Sequence, residues 1–406
     1  MLLLLSTTDQ TQRVVKRTTE KTASFQGARA AFESMTRRLG QATLNTYWRA
    51  HDNNIISKLA IFRFRRQSEL QILSGSTDRI FSANTQLKGT LQQPSNLAYP
   101  THCIFFQAPL GHTVEPISTA RPDVHKFARL DTSLAGCGYF IEYGPEPDRP
   151  QVLGTAGLPS KYRFRLMEMT VPTEKLTFYQ RPNNSTSPNS ATDEKTMIDP
   201  RVYDMKNAYY NGLVAGKDRK SNTNWVPPLW MKEAIARDTI ANTSPTAKKF
   251  RDTYVRAENI VALIILPKLA EKDRIIPGSN PPKFDPNQLE LAPAYEFDSW
   301  RVIDGNPSVK DDRNRLVDNS ARDNLLPPII QVTMVAVDDL SMQKLNPSAS
   351  NVPDLVGNLF SKATTVKDYE DDITSLERAL SRQNIKYRIF STDVVLRGSK
   401  WSRDPQ

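Results

Sequence analysis

The sequence predicts an α+β protein in which a long N-terminal helix packs on antiparallel β-sheet, with loop-rich insertions. Three observations predict it. Apolar residues near the start recur at helical spacing. After Trp48 the pattern changes to alternation. Proline (28) outnumbers glycine (16), which suits strands and loops better than a helical bundle.

The helix is read over residues 13–47. Phe25, Ala28, Phe32, Met35, Leu39 and Ala42 follow one another at spacings of three and four. Such spacing lays them in one narrow stripe, the face expected to pack. Upstream, "MLLLLSTT" is too short to cross a bilayer, which takes about 20 apolar residues. The leucines read as the end of an apolar helical segment that runs on into the amphipathic one.

The strands come next. In "LAIFRFRRQSELQILSG" Ile61, Arg63 and Arg65 alternate with Phe62 and Phe64, and a turn and second strand follow. Further strands are expected at 102–108, 137–143, 162–170 and 175–179. "ENIVALIILP" (258–267) reads as one strand buried on both faces, and "LLPPIIQVTMVAVDD" as another. Residues 367–382 read as a helix, with Ile373, Leu376 and Leu380 on one side. "IKYRIFSTDVVLRGSKW" is two short strands or one bent strand. The Asn/Ser/Pro-rich stretch 180–250 reads as an insertion. The expected division is therefore a helix over 1–48 and a β-rich body over 49–402.

At 38% hydrophobic and 24% charged residues, the chain should fold. Its net charge is +10, and residues 13–38 carry half of that excess, with seven basic residues against Glu20 and Glu33. An acidic partner or a solvated helix face would each account for the run. Cys103 and Cys137 lie in strand-like stretches. Neighbouring strands in an oxidising compartment would permit one disulfide, and two buried free thiols are the alternative.

The chemical motifs are mostly rejected. "GLVAGKDRK" has three residues between Gly212 and Gly216 where a phosphate loop needs four, and Asp218 replaces the magnesium-binding hydroxyl. His51, His102, His112 and His125 have no zinc-ligand spacing, and His102 and Cys103 point to opposite faces of a strand. The acidic run from Asp311 to Asp323 lacks the glycine and glutamate of a calcium loop. Asn184 opens a glycosylation triplet of the kind that arises by chance. No catalytic, cofactor-binding or metal-binding residue is assigned, and an enzyme is not expected.

"FQGARAAFESMTRRLGQATLNTYW" resembles the helix-to-body passage of J-type minor pseudopilins from type II secretion systems. With "CIFFQAPLG", "CGYFIEYG", "AENIVALIILP", "LLPPIIQVTMVAVDD" and "YRIFSTDVVLRGSKW" in that order, the chain resembles the prepilin-like Verru_Chthon cassette protein C family of Verrucomicrobia. The resemblance implies a pilin-like fold and a helix anchored once in the inner membrane, with the body in the periplasm. It also implies helix packing against other pilin-like subunits in a secretion or type IV pilus-like fibre, and no catalysis. The prepilin-peptidase site and most of the apolar segment are missing. The expectation is that translation begins upstream; a genuine start at Met1 would leave the protein cytoplasmic. A nucleic-acid-binding minor pilin acting in DNA uptake is the alternative. It is disfavoured because half of the basic excess is concentrated in residues 13–38 of the helix, which favours helix packing over an exposed basic body.

Overall fold

The computed structural model describes residues 25–51, 63–77, 98–145, 161–176, 253–268, 295–299, 325–348 and 352–399, apart from single positions and short stretches within some of these ranges. The first helix, α1, spans 25–39. It stops at Gly40, whose N–H returns to the Thr36 carbonyl at 3.0 Å. Three residues on, the Thr43 N–H bonds the Gln107 carbonyl at 3.0 Å and draws the chain onto the sheet. The helix expected through residue 47 is therefore shorter, and Tyr47–His51 is strand β1, paired with β2 (Arg63–Gln67).

The main body is two antiparallel sheets. The larger is built from β3 (Leu73–Ser76), β4 (His102–Pro109), β7 (Leu134–Pro145), β8 (Tyr162–Val171), β9 (Thr253–Glu258) and β11 (Phe297–Asp298). Its order is β11-β3-β4-β7-β8-β9. The smaller runs β10-β12-β13, from β10 (Ile260–Lys268), β12 (Ile329–Val337) and β13 (Tyr387–Val395). β5 (Pro116–Ser118) and β6 (Arg121–His125) form a separate ribbon.

Side-chain alternation divides the larger sheet's residues between two cores. Ile104, Phe106, Cys137, Tyr139, Phe164 and Leu166 face inward and pack with α1, β10 and β12. Cys103, Phe105, Phe140, Met167 and Met169 face outward into a second cluster. β10 is buried along nearly its whole length, as its unbroken apolar run requires.

Asn259 joins the two sheets. It has φ of +58°, which asparagine tolerates better than most residues. Its N–H bonds the Phe164 carbonyl at 2.7 Å, and its own carbonyl accepts from Val337 N–H at 2.9 Å. One residue thus completes the ladder of β8 on one side and of β12 on the other. Of the run read as a single strand over 258–267, residues 260–267 lie in β10 as expected, and only Glu258 belongs to β9, across the break.

Beyond β12, Asp338 caps the short helix α2 (Asp339–Lys344) through the Ser341 N–H at 2.9 Å. Helix α3 (Val366–Arg382) opens with a reciprocal capping box between Thr365 and Asp368. It buries Tyr369, Leu376 and Leu380, and the Tyr369 hydroxyl lies 2.6 Å from Thr333 Oγ1 on β12. The closing stretch is one continuous strand, β13, paired with β12 without a register break.

These observations correct the predicted fold. Among the described residues the protein is mostly antiparallel β-sheet, with 15 residues of N-terminal helix over 25–39, and not the expected pilin-like long helix packed on a sheet. At its C-terminal end the helical stripe runs on past Gly40 into residues that pair with β4 and β2 instead. The single-pass inner-membrane placement is corrected as well: among the described residues no helix is long and apolar enough to cross a membrane. The insertion expected at 180–250, residues 1–24 with the leucine run and the first part of the expected helix, the stretch 212–216, the acidic run at 311–323 and Asn184 lie outside the described residues. So does most of the strand expected at 175–179, of which Leu176 is described and is not in a strand.

Candidate functional site

The predicted packing face of α1 is buried as a unit. Ala28, Phe32, Met35, Leu39 and Ala42 are all buried, and Phe25 is partly buried against the same core. Ala42 lies just past the helix. Phe32 packs against Phe390 of β13 with ring centroids 5.8 Å apart and the rings tilted by 33°. On the opposite side Gln26, Arg29, Ala30, Glu33 and Arg37 are exposed, and Arg29 Nε donates to Glu33 Oε1 at 2.7 Å, one turn on.

One polar side chain stands at the joint between this helix and the sheet. Glu168 is on the inward face of β8, in line with Phe164 and Leu166, and its side chain is 1% exposed. A lone carboxylate there would be expelled or protonated. Four donors hold it. Arg38 Nη1 from the last turn of α1 and Arg256 Nη2 from β9 each reach Oε1 at 2.5 Å. The Tyr139 hydroxyl donates to Oε2 at 3.0 Å, and Thr170 Oγ1 donates to Oε1 at 3.2 Å. Burial alone would raise the carboxyl group's pKa. The Arg256 hydrogen bond and the charges of Arg38 and Arg256 outweigh it and hold Glu168 below the usual carboxylate range.

This arrangement fastens and does not react. Four donors, three of them on Oε1, hold the Glu168 carboxylate ionised, which makes it a weak base. Burial raises the Tyr139 phenol, helped by the adjacent Glu168 charge. Cys137, on the same face, is pushed up to about 12 by burial, and a protonated thiol is a poor nucleophile.

The two cysteines are free and buried. Cys137 is opposite Phe106 on β4, and Cys103 lies three residues away along that strand. An odd offset puts the thiols on opposite faces, one in each core. Neighbouring strands therefore do not bring them together, and the disulfide reading is corrected to two separate thiols. Cys103 Sγ instead donates to the Gly75 carbonyl at 3.7 Å.

His102 has a structural task. Ile265 N–H, on the outer edge of β10, donates to Nδ1 at 3.2 Å, so Nε2 carries the proton and donates to the Phe360 carbonyl at 3.0 Å. Complete burial pushes its pKa down to about 4 against the two backbone contacts that raise it. Among the described residues, no group of three or more His, Cys, Asp or Glu side chains could hold a metal ion.

Sequence reading missed Glu168 and Arg256. The signal was present in "YRFRLMEMT", where Tyr162, Phe164 and Leu166 set an apolar face that Glu168 interrupts. Nothing in the strand pattern named the partners, which come from 130 and 88 residues away.

No family model, curated protein or solved structure matches the chain.

Proposed function

We propose that the protein is a structural subunit of a type II secretion or pilus-like fibre, akin to a minor pseudopilin, and that α1 meets neighbouring pilin-like subunits. One observation carries the reading. α1 is fastened to the body by an apolar row and by the Arg38–Glu168–Arg256 clasp, while its opposite face stays exposed and polar. A helix held in this way transmits force between its neighbours and the body. The role requires no catalysis.

The test is site-specific photo-crosslinking in the native cell. A crosslinker replacing Arg29, on the outward face of α1, should capture pilin-like proteins identified by mass spectrometry. The same group replacing Asp371, on the exposed side of α3, should not. Capture from neither position, or equally from both, would overturn the assignment. Capture of nucleic acid through Arg29 would favour the DNA-uptake alternative.

A further inference from the structure

Among the described residues the two main sheets have four edges, and three are blunted. β11 is two residues long. β9 carries a bulge opposite Leu166 and Met167. β10 is covered where the Leu263 and Ile265 N–H groups donate to Thr101 Oγ1 and His102 Nδ1 at 3.1 and 3.2 Å. These are the usual devices against edge-to-edge pairing.

β13 has none of them. It is nine residues long, contains no proline, glycine or lysine, and keeps a regular register with β12 from end to end. Among the described residues it pairs on one side only. Val395 is 64% exposed, and Ser391, Thr392 and Asp393 are exposed too.

Its sequence is symmetric in chemistry about Thr392. Ile389, Phe390 and Ser391 precede it; Asp393, Val394 and Val395 follow. Apolar, apolar, polar is mirrored as polar, apolar, apolar. A second copy of the strand laid antiparallel, with a two-fold axis through Thr392, sets Ile389 opposite Val395 and Phe390 opposite Val394. Ser391 then faces Asp393, and Thr392 faces its own mate. These are favourable cross-strand pairs, on both faces at once. The faces are the ones the fold defines: Ser391 bonds Thr333 Oγ1 at 2.7 Å on the α3 side, whereas Phe390 packs against Phe32 of α1. Arg388 and Asp393 balance in charge, so two copies do not repel.

We propose that β13 is a self-association edge, and that two copies of this chain join there into one continuous six-stranded sheet, β10-β12-β13 followed by its two-fold mate. An isologous contact uses up the edge in a closed dimer and leaves none for open-ended growth. The proposal is independent of the fibre reading.

The full chain should sediment as a dimer in reversible equilibrium with monomer. Thr392→Cys places two thiols across the axis, within disulfide reach for either type of antiparallel pair, so mild oxidation should give a covalent dimer. Ser391→Cys faces Asp393 of the mate and should not crosslink. Thr392→Lys opposes two like charges and should raise the dimer Kd by at least about tenfold, with the monomer's melting temperature unchanged. A chain that stays monomeric up to its solubility limit overturns the proposal. So does a dimer indifferent to Thr392→Lys, or one in which Ser391→Cys crosslinks as readily as Thr392→Cys.

Discussion

Arg38 and Glu168 lie 130 residues apart in the chain and 2.5 Å apart in the fold. The pair ties the last turn of α1 to β8 of the larger sheet. Because Arg256 approaches the same oxygen, the clasp also holds β9, the strand that leads into the sheet switch at Asn259.

Removing the acid should cost more than removing either base. Glu168→Gln leaves two guanidinium groups without their carboxylate, but both are partly exposed and can be solvated, so the expected loss is about 1–3 kcal/mol. Arg38→Gln leaves Arg256 still paired and should cost about 1 kcal/mol. Urea unfolding of the two variants checks the order; a larger loss for Arg38→Gln would contradict it.

Acid should destabilise the protein in two windows. The folded-state pKa of His102 is depressed to about 4 from an ordinary 6.5, so the unfolded chain binds the proton first. Stability from this group is complete above about pH 6.5 and declines as pH falls toward 4, by about 3 kcal/mol in all. Glu168 is also depressed, so its contribution persists above the ordinary carboxylate pKa and is lost only as pH falls below that range. Denaturant midpoints measured from pH 7 to 3 should therefore fall first between 6.5 and 4. In His102→Gln that first decline should vanish.

Both thiols should remain reduced. Intact protein prepared without reductant should show the mass of two free thiols, and alkylating reagent should label Cys103 and Cys137 only after unfolding. A mass short by two hydrogens would contradict the opposite-face placement.

The face assignment of α1 gives a contrast within one helix. Phe32 is buried against Phe390, and Phe32→Ala should cost about 3–5 kcal/mol. Arg29 is exposed and bonded only to Glu33 one turn on, so Arg29→Ala should stay within about 0.5 kcal/mol. Similar losses in thermal or urea melts would refute the assignment.

Much of this was legible from local pattern. The Phe25–Ala42 stripe identified the buried side of α1, and alternation located β4, β7, β8 and β12 to within a few residues. What was not legible depends on pairing across the chain. The helix ends at Gly40 because the next residues are claimed by β4 and β1, whereas a stripe carries no mark of where a sheet takes over. "CIFFQAPLG" and "CGYFIEYG" revealed two strands but neither that they pair nor in what register, and the register decides whether Cys103 and Cys137 share a face. Glu168 broke an apolar face visibly, yet its partners are set by tertiary packing. The symmetry of "IFSTDVV" was in the sequence throughout; it acquired meaning only once β13 proved to be one unbroken edge strand.

Asn259 is the point at which local and global requirements meet most sharply. Within "ENIVALIILP" it resembles any polar residue at the head of a buried strand. In the fold it must adopt φ of +58° to turn the chain from one sheet into the other while its N–H and carbonyl serve both ladders. Its Nδ2 makes only a long contact of 3.4 Å with Asp339, and its Oδ1 has no hydrogen-bond partner, so the side chain contributes little that its backbone does not. Backbone conformation should therefore decide the effect of substitution. Asn259→Gly keeps the positive φ at no steric cost and should lie within about 1 kcal/mol of the parent. Asn259→Val forces a β-branched side chain into the left-handed region and should cost about 2–3 kcal/mol. If the two variants lose equal stability in urea, the side chain and not the backbone angle is what the switch requires.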